Sequence, residues 1–432
     1  MAAMLAHVLG DHADHHHEGV TAVDRILDSV RSHLGMEIAF ASRFVDGMRQ
    51  FTHIRSDIPL PLVPGDAEPL EDSFCKRILD GRLPELIHNA ADFPAALELP
   101  ITMALPIGSH LNVPLILSDG SIYGTFCCIS RAPDLSLTQR DLATVRAFAD
   151  LAASLIDEDR SRQSEHNAVE ARIDAVLSNR TMTIYHQPIH ALDDGRPLGV
   201  ECLARFADAQ LRPPNLWFDE AEAVGRGIEL EMLAVHAALQ SLPYVPSGMY
   251  ASINVSPKTL LSGQLHEALA GHRRERIVIE LTEHAQVDDY DALRAAIDGL
   301  RDHARIAIDD VGAGYAGLRH ILDLKPDILK LDMSLTRHID HDPARRALAH
   351  AMVQFAADIG CTVLAEGVET EAECTALKDL SVSLGQGYLF SRPLPAIAAQ
   401  QYFLRLASGD AGEDETCETM SLLVRPRSAR RA

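Results

Sequence analysis

Long hydrophobic runs are missing from this sequence of 432 residues. A helix that crosses a bilayer needs about 20 consecutive apolar residues, so no membrane span is expected. The amino terminus also lacks the basic-then-apolar order of a signal peptide, and a cytoplasmic location is the expectation. Cysteine is sparse: Cys75, Cys127, Cys128, Cys202, Cys361, Cys374 and Cys417 are scattered, with no CxxC pair. That excludes a disulfide framework or a thiolate zinc site and predicts reduced, mostly buried thiols. Positive charge is short as well. Lys and Arg number 39 against 62 Asp and Glu, a formal net charge of −23, which argues against binding nucleic-acid polymers. A small phosphorylated ligand stays open, because metal ions in a local pocket reverse the field there. With 47% hydrophobic and 23% charged residues the composition is that of ordinary globular material, long enough for two or three domains.

Residues 1–19 hold His12, His15, His16 and His17 beside Asp11, Asp14 and Glu18. They read as a flexible polar leader, with a metal-binding tract as the alternative. From residue 20 the pattern is mixed α/β. Val23, Ile26, Leu27, Val30 and Leu34 have helical spacing. Runs Ile38–Phe44 and Arg49–Ile54 meet at Asp46-Gly47, and Asn112–Leu117 meets Ser121–Ser130 at Asp119-Gly120, both hairpin signals. Ser136 with Gln139 suggests a capping box for a helix starting near Leu137. These features predict an α+β domain with an antiparallel sheet over residues 20–158. Its wording, NVPLILSDGSIYGTFCCIS (Asn112–Ser130) and LTQRDLATVRAFADLAA (Leu137–Ala153), resembles a GAF domain. The resemblance implies a sensory and dimerisation module, hence a homodimer regulated by an unnamed small-molecule or redox signal. Cys75, Cys127 and Cys128 read as small buried residues; chromophore attachment or redox sensing are the alternatives. A polar helical linker, residues 159–180, follows.

Beyond it strands and helices alternate. Thr183–Ala191 and Leu198–Leu203 are joined through only Asp193–Pro197, too short for a parallel crossover. Further strand candidates are Tyr250–Val255, Arg276–Leu281, Arg305–Ile308, Ile328–Leu331, Thr362–Ala365 and Gly387–Phe390, with helix-length segments between most of them. That rhythm predicts a TIM-like β/α barrel with one antiparallel strand over residues 181–405. At the strand ends stand Glu201, Asn254, Glu280 with Glu283, Asp309 with Asp310, Lys330, Glu366 with Glu369, and Gln386. Any one of these would pass for a helix cap or loop acid. Together, on the face where barrel strands end, they predict an anionic, oxygen-rich pocket holding one lysine and suited to Mg²⁺ or Mn²⁺. Asp309 and Asp310 are adjacent, so both reach one site only where the strand bends; Gly312 and Gly314 are expected to permit that bend.

The wording ECLAR (Glu201–Arg205), SINVSP (Ser252–Pro257), IELTE (Ile279–Glu283), IDDVGAGYAGL (Ile308–Leu318), LKPDILKLD (Leu324–Asp332), AEGVET (Ala365–Thr370) and GQGYLFSRPLP (Gly385–Pro395) resembles the EAL family. The resemblance implies a metal-dependent phosphodiesterase that linearises cyclic di-GMP to pGpG, with two Mg²⁺ or Mn²⁺ ions per site. It implies metal ligands at Glu201, Asn254, Glu280 and Asp309, with Asp310 on the second metal. Glu366 would hold a water at the metals or complete their shell, and Lys330 would contact the attacking water or the scissile phosphate. Glu283 would anchor the loop after Asp310. Arg205 would meet a phosphate, with Gln187, Glu369 and Gln386 lining the substrate pocket. Paired divalent ions about 3.5–4 Å apart activate water and stabilise both attacking and leaving oxygens, which explains the ligand types. Cys202 stands where the signature has alanine, a small-for-small change. The family's DDFGTGYSSL is here DDVGAGYAGL, so Val311, Ala313, Ala316 and Gly317 alter a loop that the resemblance links to the second metal and to dimerisation. The ligands remain, and activity is expected; a catalytically silent cyclic di-GMP receptor is the other reading. No GGDEF-like segment is visible, so no cyclase is expected. Residues 406–432 lose periodicity and read as a disordered tail.

Overall fold

The protein's structure, a computed structural model, describes residues 21–104, 106–207, 212–282, 289–311 and 322–408. The leader, Glu283, the loop from Gly312 and nearly all of the tail lie outside the described residues. Two compact units divide between Asn167 and Ala168.

The first unit is built on six strands: β1 (Ile38–Val45), β2 (Met48–Ser56), β3 (Ala67–Pro69), β4 (Leu86–Ile87), β5 (Ser109–Ile116) and β6 (Ile122–Ser130). They form an antiparallel sheet in the order β3-β2-β1-β6-β5-β4. The β1–β2 turn falls on Asp46 and Gly47, both left-handed (φ 51° and 76°), the requirement of a two-residue hairpin. One sheet face packs on helix Ala22–Leu34 through Val23, Ile26, Leu27 and Val30, and on Leu142, Val145 and Ala149. Helix Ala22–Leu34 starts on a capping box of Thr21 with Asp24. The opposite face buries Phe40, Phe51, Phe74, Cys75 and Cys127. The capping box expected at Ser136 and Gln139 is not formed. Asp134 accepts from the Ser136 backbone and hydroxyl, which turns the chain, and the reciprocal pair is Thr138 with Asp141. The helix then runs without interruption from Gln139 to Asn179.

The second unit is a closed barrel. Its strands are β7 (Met182–Ala191), β8 (Pro197–Phe206), β9 (Tyr250–Val255), β10 (Ile277–Thr282), β11 (Arg305–Val311), β12 (Ile328–Leu331), β13 (Thr362–Ala365) and β14 (Leu384–Gly385). Neighbours from β8 to β14 pair in parallel, while β7 pairs antiparallel with both β8 and β14 and closes the ring. A short β15 (Leu394–Pro395) adds to the edge of β7. Strand alternation separates two apolar layers. Val200, Ile253, Ile279, Ile306, Leu329 and Val363 face outward into the core beneath the helices. Cys202 is buried in that same core, so thiol for methyl is a packing change there. Ile189, Tyr250, Val278, Ala307, Ile328, Leu364 and Leu384 form a separate cluster inside the ring.

Several strand ends move by a few residues, and two assignments change. The final helix, Ala396–Ser408, includes Leu406–Ser408, so those residues are helix rather than tail. The last barrel strand is Leu384–Gly385, not Gly387–Phe390. Residues 387–390 instead make a turn closed by Phe390 N–H on the Gly387 carbonyl, and the Leu389 N–H donates to Val368. Gly387 is required by contact. A Cβ there would lie 2.1 Å from the Val368 oxygen and 2.3 Å from its nitrogen, both backbone atoms that cannot rotate away. Gly387→Ala is therefore expected to destabilise the barrel by about 2–3 kcal/mol, read as a lowered urea midpoint. An unchanged midpoint would show that the turn relaxes freely.

Candidate metal and substrate site

The inward register that makes the apolar floor also builds the site. Two residues beyond each floor position, toward the carboxyl end of the parallel strands, stand Ser252, Glu280, Asp309, Lys330, Glu366 and Gln386. In the reversed β7 the corresponding residue is Gln187, two before Ile189. Gln187 pairs across with Glu201 of β8, and Glu201 pairs with Ser252. Asn254 follows one inward step later. Period-two alternation thus converts one side of seven strands from apolar floor to polar rim.

Lys330 is fully buried at the centre. Its Nζ lies 2.7 Å from Glu366, 2.8 Å from Glu280, 3.0 Å from Asp309 and 3.9 Å from Glu201. Burial alone would lower the lysine, but these carboxylates outweigh it and hold Lys330 well above its usual value. Burial, reinforced by neighbouring acids, pushes Glu280 and Glu366 up to about 8. Glu201 goes the other way. Its burial penalty is outweighed by Lys330 and by amide donors, and its carboxyl is held below the usual range. The donors are Gln386 Nε2 at 2.5 Å and Asn254 Nδ2 at 2.9 Å. Gln386 also donates to Gln187 at 3.1 Å, and Gln187 to the Ser391 carbonyl at 3.2 Å. Ser252 Oγ donates to Glu280 at 2.5 Å.

Adjacent Asp309 and Asp310 share one face because β11 bulges. Its register with β12 shifts between Ile308 and Val311, and Asp310 is left-handed (φ 57°). The extra residue returns the second carboxylate to the side of the first. The bend expected at Gly312 and Gly314 thus already occurs at Asp310, a residue type that tolerates this conformation. Asp309, Asp310 and Glu366 each present a ligand atom within 4.8 Å of the others. Carboxylates this close, with the Lys330 ammonium against two of them and no thiolate or imidazole in the group, fit a hard divalent cation.

The cluster opens into a cavity of about 410 Å³ whose wall includes Gln187, Asp310, Glu369, Gln386 and Tyr388. Glu369 is exposed at the rim and paired with Arg337. Arg205 is not brought into that wall: it lies over the Tyr185 ring at 5.4 Å and donates to the Ala204 carbonyl. Three participants were not anticipated from the sequence: Ser252, Arg337 and Tyr388, the last visible only as a motif letter. Ser252 stood in an inward position two residues before Asn254, so alternation would have found it. Arg337 follows the short helix Met333–Thr336 and carries no motif signal.

A β/α barrel with one reversed strand, and with carboxylates and a buried lysine converging at its strand ends, defines a class of barrel proteins built around a divalent-cation site. Family models sharpen the class. The EAL domain matches residues 170–393 and the GAF domain residues 18–156; the chain belongs to the EAL family, with a GAF domain ahead of the EAL domain. Among curated relatives, the cyclic di-GMP phosphodiesterase NbdA of Pseudomonas aeruginosa is 29% identical over 263 residues, 58% of this chain and 34% of that protein. The cyclic di-GMP phosphodiesterase PdeL of Escherichia coli is 27% identical over 243 residues, 53% of this chain and 67% of that protein. The chain spans only 34–38% of the length of the first three curated relatives it matches. A solved structure of the EAL enzyme Bd1971, bound to cAMP and cyclic di-GMP, aligns with a TM-score of 0.53 at 19% identity, over 85% of this chain and 93% of that one. That likeness concerns the fold. No helix among the described residues is long and apolar enough to cross a membrane.

Proposed function

We propose that this chain is a cytoplasmic phosphodiesterase that hydrolyses cyclic di-GMP to linear pGpG with Mg²⁺ or Mn²⁺, as a homodimer regulated by its GAF domain. The observation that carries the activity is Lys330, held within 3.0 Å of Glu280, Asp309 and Glu366 beside a cavity large enough for a nucleotide. Glu201, Asn254, Glu280, Asp309, Asp310 and Glu366 would hold the cations. When bound, two divalent ions supply Lewis-acid stabilisation of phosphate charge and activate water at neutral pH. Lys330 adds positive charge beside the phosphate, where negative charge accumulates in the transition state. Its carboxylate partners keep it protonated for that task. Gln386 and Gln187 orient Glu201. Glu369, Gln187 and Gln386 line the substrate pocket, and the exposed Tyr388 ring offers a face on which a base stacks; Arg205, held over Tyr185 outside the pocket wall, is given no phosphate. One P–O bond of the ring is broken and one water consumed.

The test is hydrolysis of cyclic di-GMP by the purified chain with Mg²⁺, with Mn²⁺ and with chelator, following pGpG. Metal-dependent product is expected. Binding without product would identify a silent receptor, and neither would sink the reading. Repeating the assay without residues 1–158, alongside the mass in solution, reads the regulatory part. Identical turnover and oligomeric state in both chains would remove it.

A further inference from the structure

The sheet face of the GAF domain that carries the short helices holds a polar cluster that the proposed hydrolysis does not use. Cys75, in helix Phe74–Leu79, is fully buried, yet three donors converge on its sulfur. Arg49 Nη1 and Thr125 Oγ1 each lie 3.0 Å from Sγ, and Asn112 Nδ2 lies 3.3 Å away. All three donor residues are buried. Ser42 contacts the Thr125 hydroxyl at 3.0 Å, which fixes its orientation. A neutral thiol is a weak acceptor; a guanidinium, an amide and a hydroxyl aimed at one sulfur are what a thiolate requires. Burial by itself would raise this thiol, but the Cys127 thiol, the Arg49 charge and the other donors outweigh it and hold Cys75 well below the usual range. The Cys127 sulfur stands 3.8 Å from that of Cys75. Burial and the neighbouring sulfur push Cys127 up, so it keeps its proton.

A small cavity adjoins the cluster. It measures about 30 Å³ and its wall includes Arg49, His110 and Phe74, the residue before Cys75. That is room for one or two water-sized molecules. His110 is buried and burial lowers it to about 3, so the ring is neutral at physiological pH. Neither of its ring nitrogens has a hydrogen-bond partner, and the Arg49 Nε has none either. Unsatisfied polar groups in a buried position call for a guest with hydrogen-bonding atoms; the remaining wall is apolar.

We propose that Cys75 and Cys127 form a peroxide-reactive dithiol, with the cavity beside Arg49 and His110 admitting a hydroperoxide. The Cys75 thiolate attacks one peroxide oxygen: an S–O bond forms, the O–O bond breaks and hydroxide leaves. Cys75 becomes a sulfenic acid, oxidised by two electrons, and the peroxide is reduced. The Cys127 sulfur then attacks the sulfenic sulfur. An S–S bond forms, the S–O bond breaks, and the oxygen departs as water with the Cys127 proton. Cys128 is the internal control. Although next in sequence, it faces the other side of the sheet with Phe126 and Val145, and burial pushes it up to about 12. The proposal is independent of the reading of the barrel.

The experiment treats reduced full-length protein with hydrogen peroxide, quenches with an alkylating agent and maps the cysteines by mass. A loss of two hydrogens with a Cys75–Cys127 cross-linked peptide is expected, reversible by dithiothreitol. Cys75 should react at least about tenfold faster than Cys128. Cys127→Ser should stop at a Cys75 sulfenic acid that dimedone traps, and Arg49→Gln should slow Cys75 by about tenfold. Circular dichroism verifies that each protein is folded. Cys75 and Cys127 as alkylatable after peroxide as before, or Cys128 oxidised as fast as Cys75, would overturn the proposal.

Discussion

Glu201→Ala protein is expected to lose metal-dependent hydrolysis of cyclic di-GMP by more than about 100-fold, beyond the range for losing an outer partner of a metal ligand. The reason is connectivity. Glu201 accepts from Asn254 and Gln386 and stands 3.9 Å from Lys330, so its removal deletes a proposed ligand and frees two amides that bind it. Overall structure should survive. The substitution takes one acid from a cluster in which Glu201, Glu280, Asp309 and Glu366 share one lysine, and relief of their repulsion offsets part of the lost hydrogen bonding. The second readout is therefore the response to Mn²⁺. Saturating cation raises the melting temperature of any fold that binds it, and that rise should shrink in Glu201→Ala while circular dichroism stays unchanged. Retained turnover together with a full Mn²⁺ response would remove Glu201 from the metal site.

Much of the barrel was legible because its strands are apolar on both faces and end in polar residues at one consistent side. Tyr250–Val255, Ile328–Leu331 and Thr362–Ala365 fall where their β-branched runs place them. Leu384–Gly385 did not, because two residues carry no periodicity. That strand exists only because β13 and β7 pair with it, and ring closure is a tertiary event invisible to local pattern. The same holds for the cap at Thr138, where Asp134 won the competition for Ser136. In the site, inward alternation made Glu280, Asp309 and Lys330 readable together. The bulge at Asp310 was anticipated as a bend but displaced toward the glycines, since turn residues suggest a bend without fixing its register. Arg337 and Arg49 show the limit. Arg49 meets Cys75 26 residues away and Thr125 lies further still; nothing in a linear pattern links a strand arginine to a helix cysteine.

Lys330→Met should unfold most readily where the wild-type protein still tolerates its acids. Methionine keeps the length and removes the charge, leaving Glu201, Glu280, Asp309 and Glu366 without the cation that lies within 3.9 Å of each. Deleting one member of a buried ion cluster typically costs about 3–5 kcal/mol. The sign of the pH dependence follows from linkage. Glu280 and Glu366 sit at about 8 in the folded chain against an ordinary value of 4.5. The folded state therefore binds more protons than the unfolded one across that window, and each group costs stability as the pH rises through it. The Lys330 charge lowers both, so its loss moves them higher and extends the penalty above about pH 8. The deficit of Lys330→Met relative to wild type, in chelator, should thus grow from pH 6 to pH 9 in urea unfolding. Added Mn²⁺ replaces the missing positive charge and should recover stability without recovering turnover, because the proposed role of the lysine beside the phosphate stays unfilled. A deficit independent of pH would show that Lys330 does not balance the acids, and recovery of turnover along with stability would show that balancing them is its only role.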